Sequence, residues 1–260
     1  MSIRPKKSLG QNFLTDPNVA RKIVGALRAG PEAPVVEIGP GQGALTGLLH
    51  ARYPKLTAFE VDARAVALLR ERFPGLDVRH ADVLTVDWNA PAEEKGGPLH
   101  VIGNLPYHIT SPILFGLLDA HPCVREAILM MQLEVAQRLV ALPRTKAYGI
   151  LSVAVQLYAK PELLFRVSKN VFFPKPDVTS AVVRLDFSQA REAAPDVDPA
   201  FLRQVVRTAF NQRRKTLRNS LSLWTRGAGA TLPHDWDRRR AEELTPEAFV
   251  ELARYLQAFR

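Results

Sequence analysis

Val35-Val36-Glu37-Ile38-Gly39-Pro40-Gly41-Gln42-Gly43 decides the fold of this chain. Its first four residues read as a buried strand, and a glycine-rich turn follows them directly. The turn leads into the apolar-periodic stretch Ala44-Leu45 and Leu48-Leu49, which has the spacing of a helix. Strand, glycine turn and helix in that order let the backbone approach a ligand closely at a helix N-terminus, as in nucleotide-binding α/β sheets.

Downstream, Leu56-Thr57-Ala58-Phe59 is a second strand and ends in Glu60, about twenty residues past the turn, where such sheets place a carboxylate on ribose hydroxyls. Leu76 to Ala81 is a third and ends in Asp82. Leu99 to Gly103 is a fourth, and Asn104-Leu105-Pro106-Tyr107 follows it. Methylating an adenine amine is difficult because the nitrogen lone pair is delocalised into the ring, so a catalyst must accept hydrogen bonds from that amine and aim it. The Asn104 side-chain carbonyl can take one N–H. The Leu105 backbone carbonyl can take the other, Pro106 stiffens the turn, and Tyr107 offers a flat face for stacking. Alone, the tetrapeptide reads equally as a strand-to-helix turn that Asn caps and Pro bends. Glycine turn, Glu60, Asp82 and Asn104 to Tyr107 in sequence have the order of a class I S-adenosylmethionine-dependent methyltransferase.

Strands are expected near 35–39, 56–60, 77–81, 99–103, 125–131, 161–167 and 180–187, with helices between the first five and a helical 149–158 before the sixth. That alternation predicts an α/β fold, a Rossmann-like, mainly parallel seven-stranded sheet covered on both faces. Ser188 to Asp198 reads as a linker rich in Ala, Pro and charge, and helical, basic sequence follows it to Arg260. The expected division is a catalytic, cofactor-binding domain over 1–190 and a small helical RNA-binding domain over 191–260.

The 260 residues are 47% hydrophobic, enough for a large domain and a small one. No run has the apolar length of a transmembrane helix. The basic start, Met1 to Lys7, lacks the apolar segment of a secretory signal. Cys123 is the one cysteine, so neither an internal disulfide nor a cysteine metal site is expected, and the reducing cytoplasm is the expected compartment. The formal charge of +9 points to a polyanionic partner. From Phe201 to Ala230 there is no Asp or Glu, whereas Arg203, Arg207, Arg213, Arg214, Lys215, Arg218 and Arg226 all fall there. In one continuous helix over 201–218, Arg203, Arg207, Arg214 and Arg218 would share a face. A solvated face normally mixes signs, so the run reads as an RNA-phosphate contact.

Four further stretches support a closer resemblance: Lys7 to Leu14, Glu134 to Arg138, Val171 to Val182 and Gln212 to Leu221. With them the chain resembles, over essentially its whole length, the rRNA adenine N6-methyltransferase family, and within it the bacterial small-subunit, kasugamycin-sensitivity dimethyltransferases. The resemblance implies S-adenosylmethionine as cofactor and dimethylation of two adjacent adenosines near the 3′ end of 16S rRNA in the small (30S) subunit. A monomer with no metal and no membrane partner is expected. Asn12 and Leu14 would close over the cofactor. Gly39 would lie under its methionine part in the turn shared with Gly41, Glu60 would hold the ribose, Asp82 would address the adenine, and Asn104 would sit where cofactor and target meet. Phe172, before Pro-x-Pro, maps to the aromatic that sandwiches the target base, ahead of its neighbour Phe173; Phe172 also reads as a core aromatic. Arg207, Arg213, Arg214, Lys215 and Arg218 would bind RNA. His108, Leu133 and Asn211 depart from the usual Asn, Lys and Ser. Two other readings are an erythromycin-resistance type methyltransferase of large-subunit RNA and a non-catalytic assembly or transcription factor on the same fold.

Overall fold

The computed structural model describes residues 3–188, 196–225 and 231–259. Nine strands occur in them: β1 (Phe13–Leu14), β2 (Val35–Ile38), β3 (Leu56–Glu60), β4 (Asp77–His80), β5 (Leu99–Asn104), β6 (Val124–Gln132), β7 (Lys160–Val167), β8 (Phe172–Phe173) and β9 (Ser180–Asp186). Seven of these form one sheet in the order β4-β3-β2-β5-β6-β9-β7. The pairs from β4 to β6 are parallel, and β6 pairs with β9 antiparallel. Every position of β2 and β3 is buried, as a parallel sheet covered by helices on both faces requires. The expected seven-stranded α/β sheet is therefore present.

Strand order also locates the ligand crevice. From β2 the chain steps outward to β3 and β4, then returns to place β5 on the other side of β2. The crevice beyond the carboxyl ends of β2 and β5 is the topological switch point, where open α/β sheets bind ligands. The two strands approach closely there, since a Cβ at Gly103 would lie 2.8 Å from the Ile38 carbonyl oxygen.

The two remaining strands form a separate antiparallel ribbon, in which Phe13 opposes Phe173 and Leu14 opposes Phe172. Directly opposed residues of an antiparallel pair project from the same face. Leu14 (7% exposed) and Phe172 (5%) face the core shared with Ile23, Leu49 and Val182, while Phe13 and Phe173 are carried on the opposite face. The backbone N–H of Thr15 extends the ribbon by donating to the Val171 carbonyl at 2.9 Å.

The described residues divide into two compact units. One takes in the chain up to Ala136 with Pro161–Ser188; the other takes in Gln137–Lys160 with the described residues beyond 188. The boundary expected at 190/191 lies in 189–195, outside the described residues. The expected first domain needs a correction, because 137–160 belong with the C-terminal helices. Tyr148 and Val153 are buried in a core with Phe201, Val205, Phe249 and Leu252. An apolar helix between two strands does not announce which core it joins.

Helix 201–218 is also corrected. It runs from Pro199 to Asn211, where Gln212 leaves helical geometry, and a second short helix spans Leu217–Ser220. Arg214 and Arg218 therefore do not continue the face of Arg203 and Arg207.

Candidate active site

A cleft enclosing about 990 Å³, its open mouth included, lies over the carboxyl ends of β2, β3, β4 and β5. It is lined by Asn12, Leu14, Gly39, Gly41, Glu60, Asp82, Asn104, Leu105, Pro106 and Tyr107, so the expected cofactor and tetrapeptide positions come together at one place.

Its floor is the glycine turn. Gly39 has φ +62°, and no heavy atom lies within 4 Å of the position a Cβ would take, so a side chain there would be strained and would fill cleft space. Gly41, at φ +55°, donates its N–H to Glu60 Oε2 at 2.9 Å, and a Cβ on it would meet the Phe13 ring at 2.9 Å. The other Glu60 oxygen, Oε1, accepts the Asp62 N–H at 2.9 Å. Burial pushes the Glu60 carboxyl up, and the backbone N–H donors oppose that rise.

Asp62 was not singled out in the sequence, yet it is 2% exposed and ties the N-terminal arm to the segment that follows β3. Its carboxylate takes two hydrogen bonds from the Arg64 guanidinium, at 3.0 and 2.5 Å. It also accepts from Gln11 Nε2 at 3.2 Å and pairs with Lys6 Nζ at 3.5 Å. The Arg64 side chain above all holds it well below the usual carboxylate range. The N-terminal arm that contributes Gln11 also contributes Leu9 to Leu14 to the lining of the cleft.

Asn104 has a fixed orientation. Its Nδ2 donates to the Asn12 carbonyl oxygen at 2.9 Å. A carbonyl can only accept, so the amide nitrogen faces Asn12 and Oδ1 is turned away. No group among the described residues donates to Oδ1. Tyr107 is anchored by a 2.7 Å hydrogen bond between its hydroxyl and Ser180 Oγ. Asp82 is exposed at the mouth, where Oδ1 accepts the Leu84 N–H at 3.0 Å. His108, the departure nearest the site, places its ring against Gly10, so it packs under the arm.

Phe172 is a correction. It does not line the cleft: it opposes Leu14 in the ribbon and is packed in the core. Phe173 is the exposed ring of the pair, at 62%.

Glu37 was passed over within its own motif. It lies at the floor of the cleft, fully buried, and its Oε2 has no hydrogen-bond partner among the described residues. Burial pushes its carboxyl up to about 8, with the nearby Thr46 hydroxyl opposing the rise and Glu60 adding to it. A lone acid in an otherwise apolar strand is the signal that marks it. The folded protein keeps a proton here that the unfolded chain has lost, so this group's contribution to stability falls as pH rises from about 4.5 to about 8. We expect Glu37→Gln to remove a slope of up to ~1.4 kcal/mol per pH unit across that window. Urea denaturation of both proteins at pH 5 to 9 checks this; parallel stability curves would refute it.

An unpaired buried carboxyl oxygen at Glu37, the Glu60 carboxyl and an open glycine cradle fit a ligand that carries a further polar group and ribose hydroxyls together. S-adenosylmethionine has both.

In the second unit, Arg207, Arg214, Lys215 and Arg218 are exposed and have no ion-pair partner among the described residues. Arg213 differs from expectation: it donates to Glu242 Oε2 at 2.7 Å and to the Lys146 and Thr145 carbonyls at 3.0 and 3.1 Å. Its guanidinium is a strut for the neighbouring loop. Arg226 lies outside the described residues.

A family model described as ribosomal RNA adenine dimethylase matches residues 3–258. The chain belongs to the ribosomal RNA adenine dimethylase family. A relative from Salinibacter ruber, ribosomal RNA small subunit methyltransferase A, is 59% identical over 98% of this chain and 86% of its own length. Among solved structures, a dimethyladenosine transferase from Plasmodium falciparum superposes with a TM-score of 0.78 at 23% identity, covering 95% of this chain and 98% of that one. The 23S rRNA methyltransferase ErmE superposes with a TM-score of 0.64 at 29% identity, covering 93% and 99%. The dimethylase fold thus extends over nearly the whole chain. No helix among the described residues is long and apolar enough to cross a membrane.

Proposed function

We propose that this dimethylase transfers methyl groups from S-adenosylmethionine to the exocyclic amines of two adjacent adenosines near the 3′ end of 16S rRNA, acting as a cytoplasmic monomer on the 30S subunit. The observation that carries the reading is the Asn104 amide, held by Asn12 with Oδ1 free at the cleft. Similarity to a small-subunit methyltransferase at 59% identity favours this substrate over the large-subunit RNA named for ErmE. A non-catalytic platform would have no use for an oriented Asn104 and a buried Glu60.

When bound, S-adenosylmethionine supplies an electrophilic methyl group. Glu60 would receive its ribose hydroxyls, Asp82 would meet its adenine at the mouth, and Gly39 and Glu37 would face its methionine part. Asn12 and Leu14 would close over it. Asn104 Oδ1 and the Leu105 carbonyl accept the two amine N–H groups of the target adenine, and Tyr107 stacks on its ring. This alignment is the main contribution of the protein, and in well-oriented intramolecular reactions it lowers barriers by up to roughly 7–11 kcal/mol. The amine becomes acidic only as it gains the methyl, so its proton can leave to water. The target base must be unpaired to enter.

Immature small subunits, naked 16S rRNA, large-subunit RNA and DNA are offered in turn, and digested products are counted by mass spectrometry. Dimethyladenosine confined to 16S rRNA is expected. Product on large-subunit RNA, or arrest at monomethyladenosine, would overturn the assignment.

The exposed cations of the second unit are assigned to RNA phosphates. Reversing charge at Arg214 and Arg218 is expected to weaken RNA binding and reduce the log–log salt slope by roughly 0.7–0.9 per lost contact, with cofactor affinity unchanged. Titrations at several salt concentrations check it; an unaltered slope would return these residues to a solvated surface.

A further inference from the structure

Phe173 presents 62% of its surface to solvent, although burying a phenylalanine ring is strongly favourable. The ribbon fixes where that ring stands. Phe173 directly opposes Phe13, so the two rings leave the same face with Cβ atoms about 5 Å apart. Phe13 lines the cleft and lies against Gly41, whereas Phe173 does not line it. Phe173 is therefore one cross-strand step outside the site, a reach comparable to the roughly 3.4 Å between successive nucleotides of a stacked strand. Thr15 fastens the ribbon to Val171, and Lys169 Nζ reaches the Asp177 carbonyl across the following loop at 3.5 Å, so the ring is carried on a tethered backbone. Two residues on, Lys175 is exposed with no ion-pair partner among the described residues.

We propose that Phe173 is a specificity-determining residue that stacks an unpaired base adjacent to the adenosine held in the cleft, with Lys175 meeting that nucleotide's phosphate. A flat apolar ring beside a lysine suits a nucleotide, because every base offers a π-face and every nucleotide a negative charge. This role is separate from binding the target base, which belongs to Asn104, Leu105 and Tyr107. It rests on the rRNA adenine methylation reading above.

The test uses the full chain and a short RNA carrying the target adenosine with 2-aminopurine at the flanking position. Wild-type protein is expected to quench the probe on binding. Phe173→Ala and Phe173→Leu should lose the quenching, and Phe173→Tyr should keep it. For Phe173→Ala, KM for RNA should rise by about five- to 150-fold, the range a lost base–aromatic stack predicts. kcat at saturating RNA and cofactor affinity by calorimetry should stay near wild type. Phe173→Leu retains apolar bulk without a π-face, so wild-type behaviour of that variant would overturn the stacking role, as would an unchanged KM for Phe173→Ala. Wild-type protein that forms no dimethyladenosine on rRNA would defeat the underlying reading as well; an active wild type with an indifferent Phe173→Ala would defeat this inference alone.

Discussion

Asn104→Ala is expected to cut methyl transfer by about a hundredfold to a thousandfold, some 2.7–4 kcal/mol, the usual cost of losing one preorganised hydrogen-bonding group. Two effects combine. The target amine loses one of its two acceptors, and the Asn12 carbonyl loses its donor, so the arm over the cleft loses a tie. RNA affinity should change little, since one contact is lost from a wide basic surface. Asn104→Asp separates the two effects: it keeps an acceptor for the amine but sets a carboxylate oxygen against the Asn12 carbonyl. We expect it to recover part of the rate while weakening cofactor retention. Single-turnover assays with immature subunits, read as unmodified, monomethyl and dimethyl adenosine, measure both variants. Dimethylation by Asn104→Ala at near the wild-type rate would refute the mechanism.

Glu60→Ala is expected to weaken cofactor binding by about two to four powers of ten, because two charge-assisted hydrogen bonds to ribose contribute roughly 1.5–3 kcal/mol each. Each carboxylate oxygen already accepts one backbone N–H, from Gly41 and from Asp62, which aims its remaining lone pairs. Glu60→Gln should be nearly as damaging. An amide has one oxygen, so its NH₂ group would face one of those two N–H donors. Calorimetry with the cofactor, beside a thermal melt to establish folding, gives the answer. A folded Glu60→Ala variant with undiminished affinity would remove Glu60 from the ribose site.

The sheet was legible because each of its strands carries a local signal. β2, β3 and β5 are short apolar runs closed by a glycine turn or by a polar residue at the strand end, and their observed limits lie within a residue or so of those expected. The cleft followed from the same signal, since residues at successive strand ends meet at the switch point of a parallel sheet. Other features depend on pairings that no local pattern reports. Whether Phe172 or Phe173 faces solvent is a question of register against Phe13 and Leu14, and a one-residue slip would exchange them. Arg213 looked like its neighbours until Glu242 and the 145–146 carbonyls were seen to claim it. Asp62 caps the helix that follows it, and only the fold brings Lys6 and Gln11 to it. Residues 137–160 were assigned to the wrong unit for the same reason, because apolar periodicity states that a face is buried but not against what.

The β1–β8 ribbon also orders events during synthesis. Phe13 is made early, but its partner Phe173 is translated 160 residues later, so the ribbon cannot pair until the chain has been made that far. Contacts this distant in sequence carry a large loop-closure cost and form late. The sheet from β2 to β6 can assemble from neighbouring segments while its ligand crevice still lies open. A nascent chain therefore gains its glycine cradle well before it gains the strap formed by β1 and β8.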